Sequence, residues 1–230
     1  MKNILMFFVA FSVSVAFGEP VRSMLGSKAS YIPTEEPLPY ARTVDYLEVR
    51  SQGAYQTREY ISLGFEMTDG MRFVGDFLFV RNSSRQLMGA NASRQYFGVN
   101  ANGYIEFGIL GAATSTVQVD GLTRYLVVFC VDGSNNEGYV CDLNGDVLWS
   151  GRGPNYSLKN NFEIFRIREA ATLNFVAGNR IYGFEVWLGD ELIHEYKPVI
   201  DFSGVPCLYD TVGGELLYTP VGRFRTNEDE

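Results

Sequence analysis

The sequence has 230 residues, of which 46% are hydrophobic and 14% aromatic, and its formal net charge is −8. An acidic chain is a poor partner for nucleic acid or for an anionic membrane surface, so both of these partner classes are excluded. The length and the high aromatic content suit one all-β domain with a large core, a class that often reaches this size undivided.

Residues 1–18 have the pattern of a secretory signal peptide. Lys2 gives a positive start, Ile4–Phe17 is a short apolar run, and Ala16 and Gly18 place small residues where a signal peptidase cuts. The run falls short of the ~20 residues that span a bilayer, and no Cys follows it as in a lipoprotein. We expect a secreted, periplasmic or cell-surface protein without membrane insertion, whose mature chain has 18 basic and 27 acidic residues and a net charge of −9.

Residues 19–43 predict an extended leader or linker, because the segment is rich in Ser, Pro, Glu and Gly and shows no alternation. It is interpreted as a mobile tether, with Tyr31 and Tyr40 as candidates to pin it to the domain. Strand signals then run from Val44 to Tyr218, with turn residues about every eight to twelve positions. This predicts a β-sandwich domain over 44–222, followed by a charged, frayed tail over 223–230.

The stretch Thr123–Gly151 predicts three consecutive antiparallel strands. Tyr125–Val131 and Tyr139–Leu143 are rich in β-branched and aromatic residues and flank the polar turn DGSNNEG. Asn144-Gly145 then predicts a two-residue type I′ hairpin, because both of its central positions need a positive φ. In that register Trp149 lies opposite Val140.

Three cysteines are present, and an odd count in an oxidising compartment permits one disulfide and one free thiol. If the DGSNNEG turn is symmetric about its two asparagines, Cys130 lies opposite Cys141 and a cross-strand disulfide is permitted. Alternatively, both are small apolar residues on a buried face shared with Leu126, Val128 and Leu143. The sequence leaves both interpretations open, because a shift in register removes the first.

Three segments carry a resemblance to a known family. They are the opening Val44–Phe79 with its YLE and YI strands, the central Thr123–Gly151 with its DG and NG turns, and the closing Arg180–Tyr218 with its GD turn and LYD hairpin. Together they resemble secreted bacterial or phage-associated domains of the laminin G-like, concanavalin A-like lectin-glucanase superfamily. The resemblance implies an all-β, two-sheet antiparallel jelly-roll β-sandwich. It leaves the activity open, since that superfamily contains carbohydrate binders, protein-interaction modules, calcium-dependent lectins and glycoside hydrolases.

Catalysis is not expected. A retaining glycosidase needs two carboxylates about 5 Å apart, and the related glucanases place theirs at near-alternate positions of one strand. No strand shows that pattern, and the nearest candidate, Glu185–Glu191, is interrupted by the Gly189-Asp190 turn. His194 is the only histidine, so a Ser-His-Asp site or a His-rich metal site has one imidazole at most.

No cofactor is predicted, although structural calcium stays open. The segment Asp142–Asp146 has alternating oxygen ligands, but an EF-hand loop would need Gly where Val147 stands and Glu where Gly153 stands. Loop acids such as Asp120 and Asp132 are the remaining candidates for a calcium site.

The candidate ligand-binding residues form two pairs. In Arg180–Leu188 the alternation puts Tyr182, Phe184, Val186 and Leu188 on the core face and Gly183, Glu185 and Trp187 on the other. Glu185 and Trp187 combine a carboxylate with a flat aromatic ring, as sugar-binding surfaces do. Asp142 and Trp149, on the two strands of one hairpin, are the second pair. Alternatively, both tryptophans merely cover the sheets.

These observations predict an exported, non-enzymatic, lectin-like domain that binds a glycan or another cell-surface polymer. The main rival is a protein-protein adhesion or surface-assembly module, in which the same aromatic residues meet a protein partner. A glycoside hydrolase with acids from separate loops is the third hypothesis.

Overall fold

The computed structural model describes residues 37–50, 59–80, 88–90, 95–100, 102–109, 113–132, 136–152, 161–165 and 178–230. The predicted signal peptide, Tyr31 and most of the leader lie outside these ranges. Within them, none of the helices is long and apolar enough to cross a membrane.

Sixteen strands are present in the described residues. Their bounds are β1 Arg42–Thr43, β2 Leu47–Glu48, β3 Ile61–Glu66, β4 Met71–Leu78, β5 Met88–Ala90, β6 Gln95–Val99, β7 Tyr104–Ile109, β8 Ala113–Gln118, β9 Arg124–Cys130, β10 Glu137–Cys141, β11 Val147–Arg152, β12 Asn161–Ile164, β13 Arg180–Leu188, β14 Glu191–Ile200, β15 Pro206–Asp210 and β16 Leu216–Leu217.

The strands form two sheets. The larger has ten strands in the order β11-β10-β9-β4-β13-β14-β15-β16, with β1 added to β14 and β2 to β13. The smaller has six strands in the order β3-β12-β5-β6-β7-β8. All pairings between neighbours are antiparallel. The predicted all-β, two-sheet antiparallel sandwich is therefore confirmed.

Aromatic side chains from both sheets fill the space between them. The ring of Phe73 on β4 stacks on Phe162 of β12 at 4.5 Å between centroids, and Phe107 of β7 contacts Phe129 of β9 at 5.2 Å. All four side chains are buried. Because alternate residues of each strand point inward, the remaining side chains of the ten-stranded sheet face outward, and this second surface is called the outer face below.

The face assignment on β13 is confirmed in the middle of the strand but is wrong for Tyr182 and Leu188. Leu188, which was expected in the core, is 43% exposed, because it is the last residue of the strand and follows a register shift between Val186 and Trp187. Phe184 and Val186 are buried in the core, and Glu185 lies on the outer face. The pairing with β4 shifts by one residue between Ile181 and Gly183, so Tyr182 is the extra residue of a bulge. Its ring lies under the Arg124 guanidinium on the outer face, and Ile181 takes the core position instead.

The cysteine register differs from the expected one by four residues. Cys130 pairs with Glu137, and Cys141 pairs with Leu126. The two cysteines are thus separated by four residues along β9, about 13 Å, far beyond the reach of a disulfide. The disulfide that the sequence left open is therefore not formed, and both thiols are free.

Asn136 explains the shift, because it ends the loop instead of occupying its centre. Its side-chain oxygen accepts a hydrogen bond from the backbone N–H of Asp132 at 3.0 Å, and its side chain is buried. Val131 meanwhile donates to the carbonyl of Met71 on β4, not to β10. Cys141 accordingly belongs to a small apolar cluster on the outer face with Leu126 and Val128, as in the alternative interpretation of the cysteines. Leu143, which was expected on the same buried face, is instead 41% exposed, because it lies in the turn after β10.

The β10–β11 hairpin exists, but its turn is not type I′. Gly145 donates to the carbonyl of Asp142 and has a φ of 85°, whereas Asn144 is not among the residues with positive φ. The turn therefore has Leu143 and Asn144 at its centre, followed by a left-handed glycine. The predicted pairing of Trp149 with Val140 is present.

The last residues of the chain are packed against the domain, in contrast to the predicted frayed tail. Phe224 is fully buried in the core, and Thr226 caps a short 3-10 helix at Asn227–Asp229. Arg225 exchanges backbone hydrogen bonds with Glu48. At the other end, Tyr40 contacts Tyr209 at 5.0 Å between ring centroids, so this tyrosine does pin the leader.

A candidate ligand groove on the outer face of the large sheet

The outer face of the ten-stranded sheet contains a groove of about 170 Å³. It crosses the adjacent strands β9, β4, β13 and β14, near the middle of the sheet. Its lining comprises Val74, Asp76, Leu126, Tyr182, Gly183, Phe184, Glu185, Glu195, Tyr196 and Lys197. We call this feature the outer groove.

The outer groove has an apolar part of its lining and is open at Gly183. Val74 and Leu126 belong to the small outer cluster, in which they pack with Val128 and Cys141. A Cβ placed on Gly183 would have the Tyr196 carbonyl oxygen, at 3.8 Å, as its closest neighbour. The absence of a side chain at this position therefore leaves space in the groove without being required by the backbone.

Asp76 forms one charged wall of the groove. Its carboxylate makes two hydrogen bonds with Arg124 of β9, one of them from Nε at 3.1 Å. Burial raises the pKa of the Asp76 carboxyl, and the arginine acts in the opposite direction. The Arg124 guanidinium also lies 3.8 Å from the centre of the Tyr182 ring, which fixes the orientation of both side chains.

Glu185 and Glu195 form the other wall, directly opposite each other on β13 and β14. Residues paired in this way have Cβ atoms about 4.5–5.5 Å apart. Glu195 accepts a hydrogen bond from the Thr211 hydroxyl and lies 3.0 Å from the Lys197 ammonium group. Among the described residues, Glu185 has no ion pair within 4.0 Å.

Trp187 holds the Glu185 carboxylate in place. The indole N–H donates to Glu185 Oε2 at 2.9 Å. Burial raises the pKa of Glu185, the Trp187 hydrogen bond lowers it, and the charge of Glu195 raises it further. The Trp187 ring packs against the small outer cluster under the Arg72 guanidinium, 5.1 Å from its centre, and does not line the groove. The structure thus brings the predicted pair together, with Glu185 in the groove wall and Trp187 behind it.

Asp142 and Trp149 lie elsewhere. The Asp142 carboxylate accepts hydrogen bonds from the backbone N–H groups of Asn144 and Asp146, both at 2.9 Å, so it stabilises its own turn. These bonds lower the pKa of Asp142. The Trp149 ring faces the space between the sheets and packs on the core above Gly151. The two residues do not join Glu185 and Trp187, because β9 and β4 lie between the β10–β11 hairpin and β13.

His194 is bound by a carboxylate at the edge of the core. Its Nδ1 lies 2.6 Å from Asp210 Oδ2, and its ring stacks on Phe65 at 5.0 Å. Cys207 is buried and faces away from this pair, and burial raises the pKa of its thiol to about 12. Within the part of the chain that the structure describes, no group of three His, Cys, Asp or Glu side chains could hold a metal ion.

Sequence reasoning missed Asp76, Tyr182, Glu195 and Lys197 as groove residues. The alternation of Glu195 and Lys197 around the buried Tyr196 was a usable signal, because it puts both charges on the outer face. Asp76 carried no such signal. Its place in the groove depends on the pairing of β4 with both β9 and β13, which are distant in sequence.

Comparisons with known proteins bear on the fold. The chain matches no protein-family model and no curated protein. Among solved structures it is similar to the crystal structure of "a putative carbohydrate binding protein" from Bacteroides ovatus, with a TM-score of 0.52 and 13% sequence identity. The alignment covers 81% of this chain and 60% of that chain, so this chain spans less than two thirds of its neighbour. At that identity the likeness concerns the fold.

Proposed function

We propose that this protein binds carbohydrate in the outer groove without transforming it. The observation that carries the proposal is a groove that combines apolar side chains, an open glycine position and carboxylates on both walls. Sugar rings combine C–H faces with many hydroxyl donors, so they suit a surface of this kind. The fold likeness to a protein named for carbohydrate binding supports the same conclusion.

The hydrogen bonds of the two glutamates favour binding over hydrolysis. Both oxygens of Glu195 are already engaged, one by the Thr211 hydroxyl and one by Lys197. One oxygen of Glu185 is taken by Trp187. Carboxylates held in this way are well placed to accept hydrogen bonds from ligand hydroxyls. A glycosidase would instead need one of them free to attack the sugar.

The proposal includes export and a place in the laminin G-like, concanavalin A-like superfamily. The apolar start of the sequence supports export, and the glycan would then be one that the protein meets outside the cytoplasm. The two antiparallel sheets support the superfamily proposal. A protease-protection assay on intact cells tests the export.

The direct test is binding to a glycan array and to insoluble polysaccharides. We expect binding by the natural chain and its loss in Gly183→Leu, because the new side chain would fill the groove without a backbone clash. Ser150→Leu adds the same side chain at an exposed position of edge strand β11 and should bind normally. Equal binding by the natural chain and Gly183→Leu, at equal Tm, would overturn the assignment of the groove.

Glycoside hydrolysis is the second candidate, because Glu185 and Glu195 are directly paired across β13 and β14, and a retaining enzyme uses two neighbouring carboxylates. The same polysaccharides should therefore be assayed for new reducing ends over a day of incubation. We expect none. Release of reducing sugar that is lost in both Glu185→Gln and Glu195→Gln would replace the binding proposal with a hydrolase.

A protein partner is favoured by a different part of the molecule. Leu143, Val147 and Leu148 on the β10–β11 hairpin are 41%, 47% and 47% exposed, which is unusual for three neighbouring aliphatic residues. Binding to a protein partner that survives Gly183→Leu but is lost on changing Val147 and Leu148 to Ser would support this function.

A further inference from the structure

The outer groove continues across the sheet beyond Lys197. Phe184 pairs with Tyr196 across β13 and β14, so Gly183 and Lys197, one residue further on each strand, are neighbours in the groove. Lys197 in turn pairs with Tyr209 of β15. One row of outward positions therefore runs from Gly183 through Lys197 to Tyr209.

An aromatic pair stands at the far end of this row. Tyr209 and Tyr40 contact each other with ring centroids 5.0 Å apart and planes inclined at 54°. Both side chains are partly exposed. Tyr40 reaches this place because the next residue, Ala41, donates its N–H to the carbonyl of Ile200 at 2.9 Å. The leader thus supplies one ring of the pair, and the sheet supplies the other.

The distance from Gly183 to Tyr209 is longer than one sugar ring and suits a chain of linked sugars. Neighbouring strands lie about 4.8 Å apart, so Gly183 and Tyr209 are separated by roughly 10 Å across two strand spacings. That is close to the length of two linked pyranose units. The groove itself, at about 170 Å³, has room for a single ring. A tyrosine face at the next position would stack on the C–H face of a neighbouring sugar.

We propose that the ligand is a linear oligosaccharide or polysaccharide that crosses β13, β14 and β15, with one sugar in the outer groove and a later sugar on the Tyr209–Tyr40 pair. This inference rests on the proposed carbohydrate-binding function and adds its substrate class. Lys197, half exposed and between the two positions, donates to the hydroxyls or ring oxygen of the connecting sugar. Single sugars fill only the groove and bind more weakly.

The test is the dependence of affinity on chain length. The probes are size-fractionated oligosaccharides of one to six units from xylan, mannan, laminarin and cellulose, titrated calorimetrically. For the natural chain we expect affinity to rise about 3- to 10-fold as the ligand grows long enough to reach the tyrosines, which is the contribution of one aromatic contact. Tyr209→Ala should remove this rise and leave the affinity for the shortest ligand unchanged.

Two further variants keep the result interpretable. Tyr40→Ala removes the other ring of the pair and should likewise abolish the rise in affinity with ligand length. It replaces Tyr209→Ala as the test variant if Tyr209→Ala proves unstable. Tyr104→Ala makes the same chemical change on β7 of the smaller sheet and should leave the length dependence intact.

The outcomes separate the two proposals. Equal affinity for short and long ligands, with binding still lost in Gly183→Leu, overturns the extended site and keeps carbohydrate binding in the groove. A length dependence that survives in both tyrosine variants also overturns the extended site. Failure of every oligosaccharide to bind overturns the proposed function itself.

Discussion

The carboxyl group of Glu185 stands in a wall of the outer groove where its charge is poorly solvated. Burial and the neighbouring Glu195 raise its pKa in the folded state, so the folded chain binds a proton more tightly than the unfolded chain. Stability therefore falls as the pH rises from about 4.3, the unfolded value, through the folded pKa.

Glu185→Gln should consequently stabilise the free protein at neutral pH. The glutamine keeps an oxygen for the Trp187 N–H and removes the poorly solvated charge. We expect Tm to rise by about 2–4 °C at pH 7, which is ~1 kcal/mol in a chain of this size, and to be unchanged at pH 4. Calorimetry at the two pH values measures this. The exposed Glu66→Gln is the matched control, and an equal rise in both variants contradicts the explanation.

The carboxylate of Asp142 stabilises the β10–β11 turn, and this role explains its lowered pKa. Its carboxylate accepts backbone hydrogen bonds within the turn, which lower its pKa in the folded state. The resulting stability is present above the unfolded pKa of about 3.9 and is lost as the pH falls through the folded pKa. We expect Asp142→Ala to lower Tm by about 2–4 °C at pH 7, with a smaller difference at pH 2.5. Glycan binding should be unaffected, and weaker binding at full folding would return Asp142 to the candidate ligand residues.

Strand faces could be predicted from the sequence, whereas strand registers could not. Alternation placed Phe184 and Val186 in the core correctly, since the period of two is local information. The β9–β10 register was wrong by four residues, and an even shift leaves every side chain on its predicted face. The two registers are distinguished by the hydrogen bond from Asp132 to Asn136 and by the one from Val131 to Met71, neither of which alternation reveals. The bulge that turns Tyr182 outward likewise depends on pairing with β4.

At the level of elements, the distance between the sheets depends on Gly138 of β10. A Cβ there would lie 2.6 Å from the ring of Phe107 on β7, so the larger sheet approaches the smaller one at a position without a side chain. We expect Gly138→Ala to cost about 1–3 kcal/mol through overpacking, seen as a lower Tm in thermal unfolding. Gly183→Ala, in the same sheet but facing the open groove, should keep or slightly raise Tm. Equal losses in both variants would show that the cost is a general effect of removing glycine.

Over the whole molecule, the fold class followed from composition and alternation, but the groove did not. Its walls come from β4, β9, β13 and β14, and β4 lies between β9 and β13 although neither is its neighbour in sequence. Such long-range pairing is not encoded in any short pattern. Glu185 was found because the alternation holds around it from Gly183 to Val186, and Glu195 carried a similar signal, whereas Asp76 became a groove residue only through the order of the strands.

The last residues of the chain form ion pairs with β1 and β13. Arg42 pairs with Glu228 at 2.5 Å, and Arg180 joins Glu230 at 2.7 Å. Exposed ion pairs contribute little by themselves, so the main anchor of this end is the buried ring of Phe224. Removal of the Phe224 ring therefore distinguishes a packed tail from a frayed one, because it lowers the stability of the domain only if the tail is packed.

Phe224→Ala should destabilise the domain by about 3–5 kcal/mol, as expected for a large aromatic side chain removed from a core. In a chain of this size that corresponds to a Tm lower by about 6–20 °C. Phe202, which is 74% exposed in the β14–β15 turn, offers the matched change, and Phe202→Ala should leave Tm nearly unchanged. If both variants have the Tm of the natural chain, the end of the chain is frayed, as the sequence suggested. The backbone pairing of Arg225 with Glu48 would then also be absent. If Phe224→Ala lowers Tm and Phe202→Ala does not, the segment that contains Phe224 and Arg225 is part of the folded domain. Any shortened version of the domain must then retain this segment.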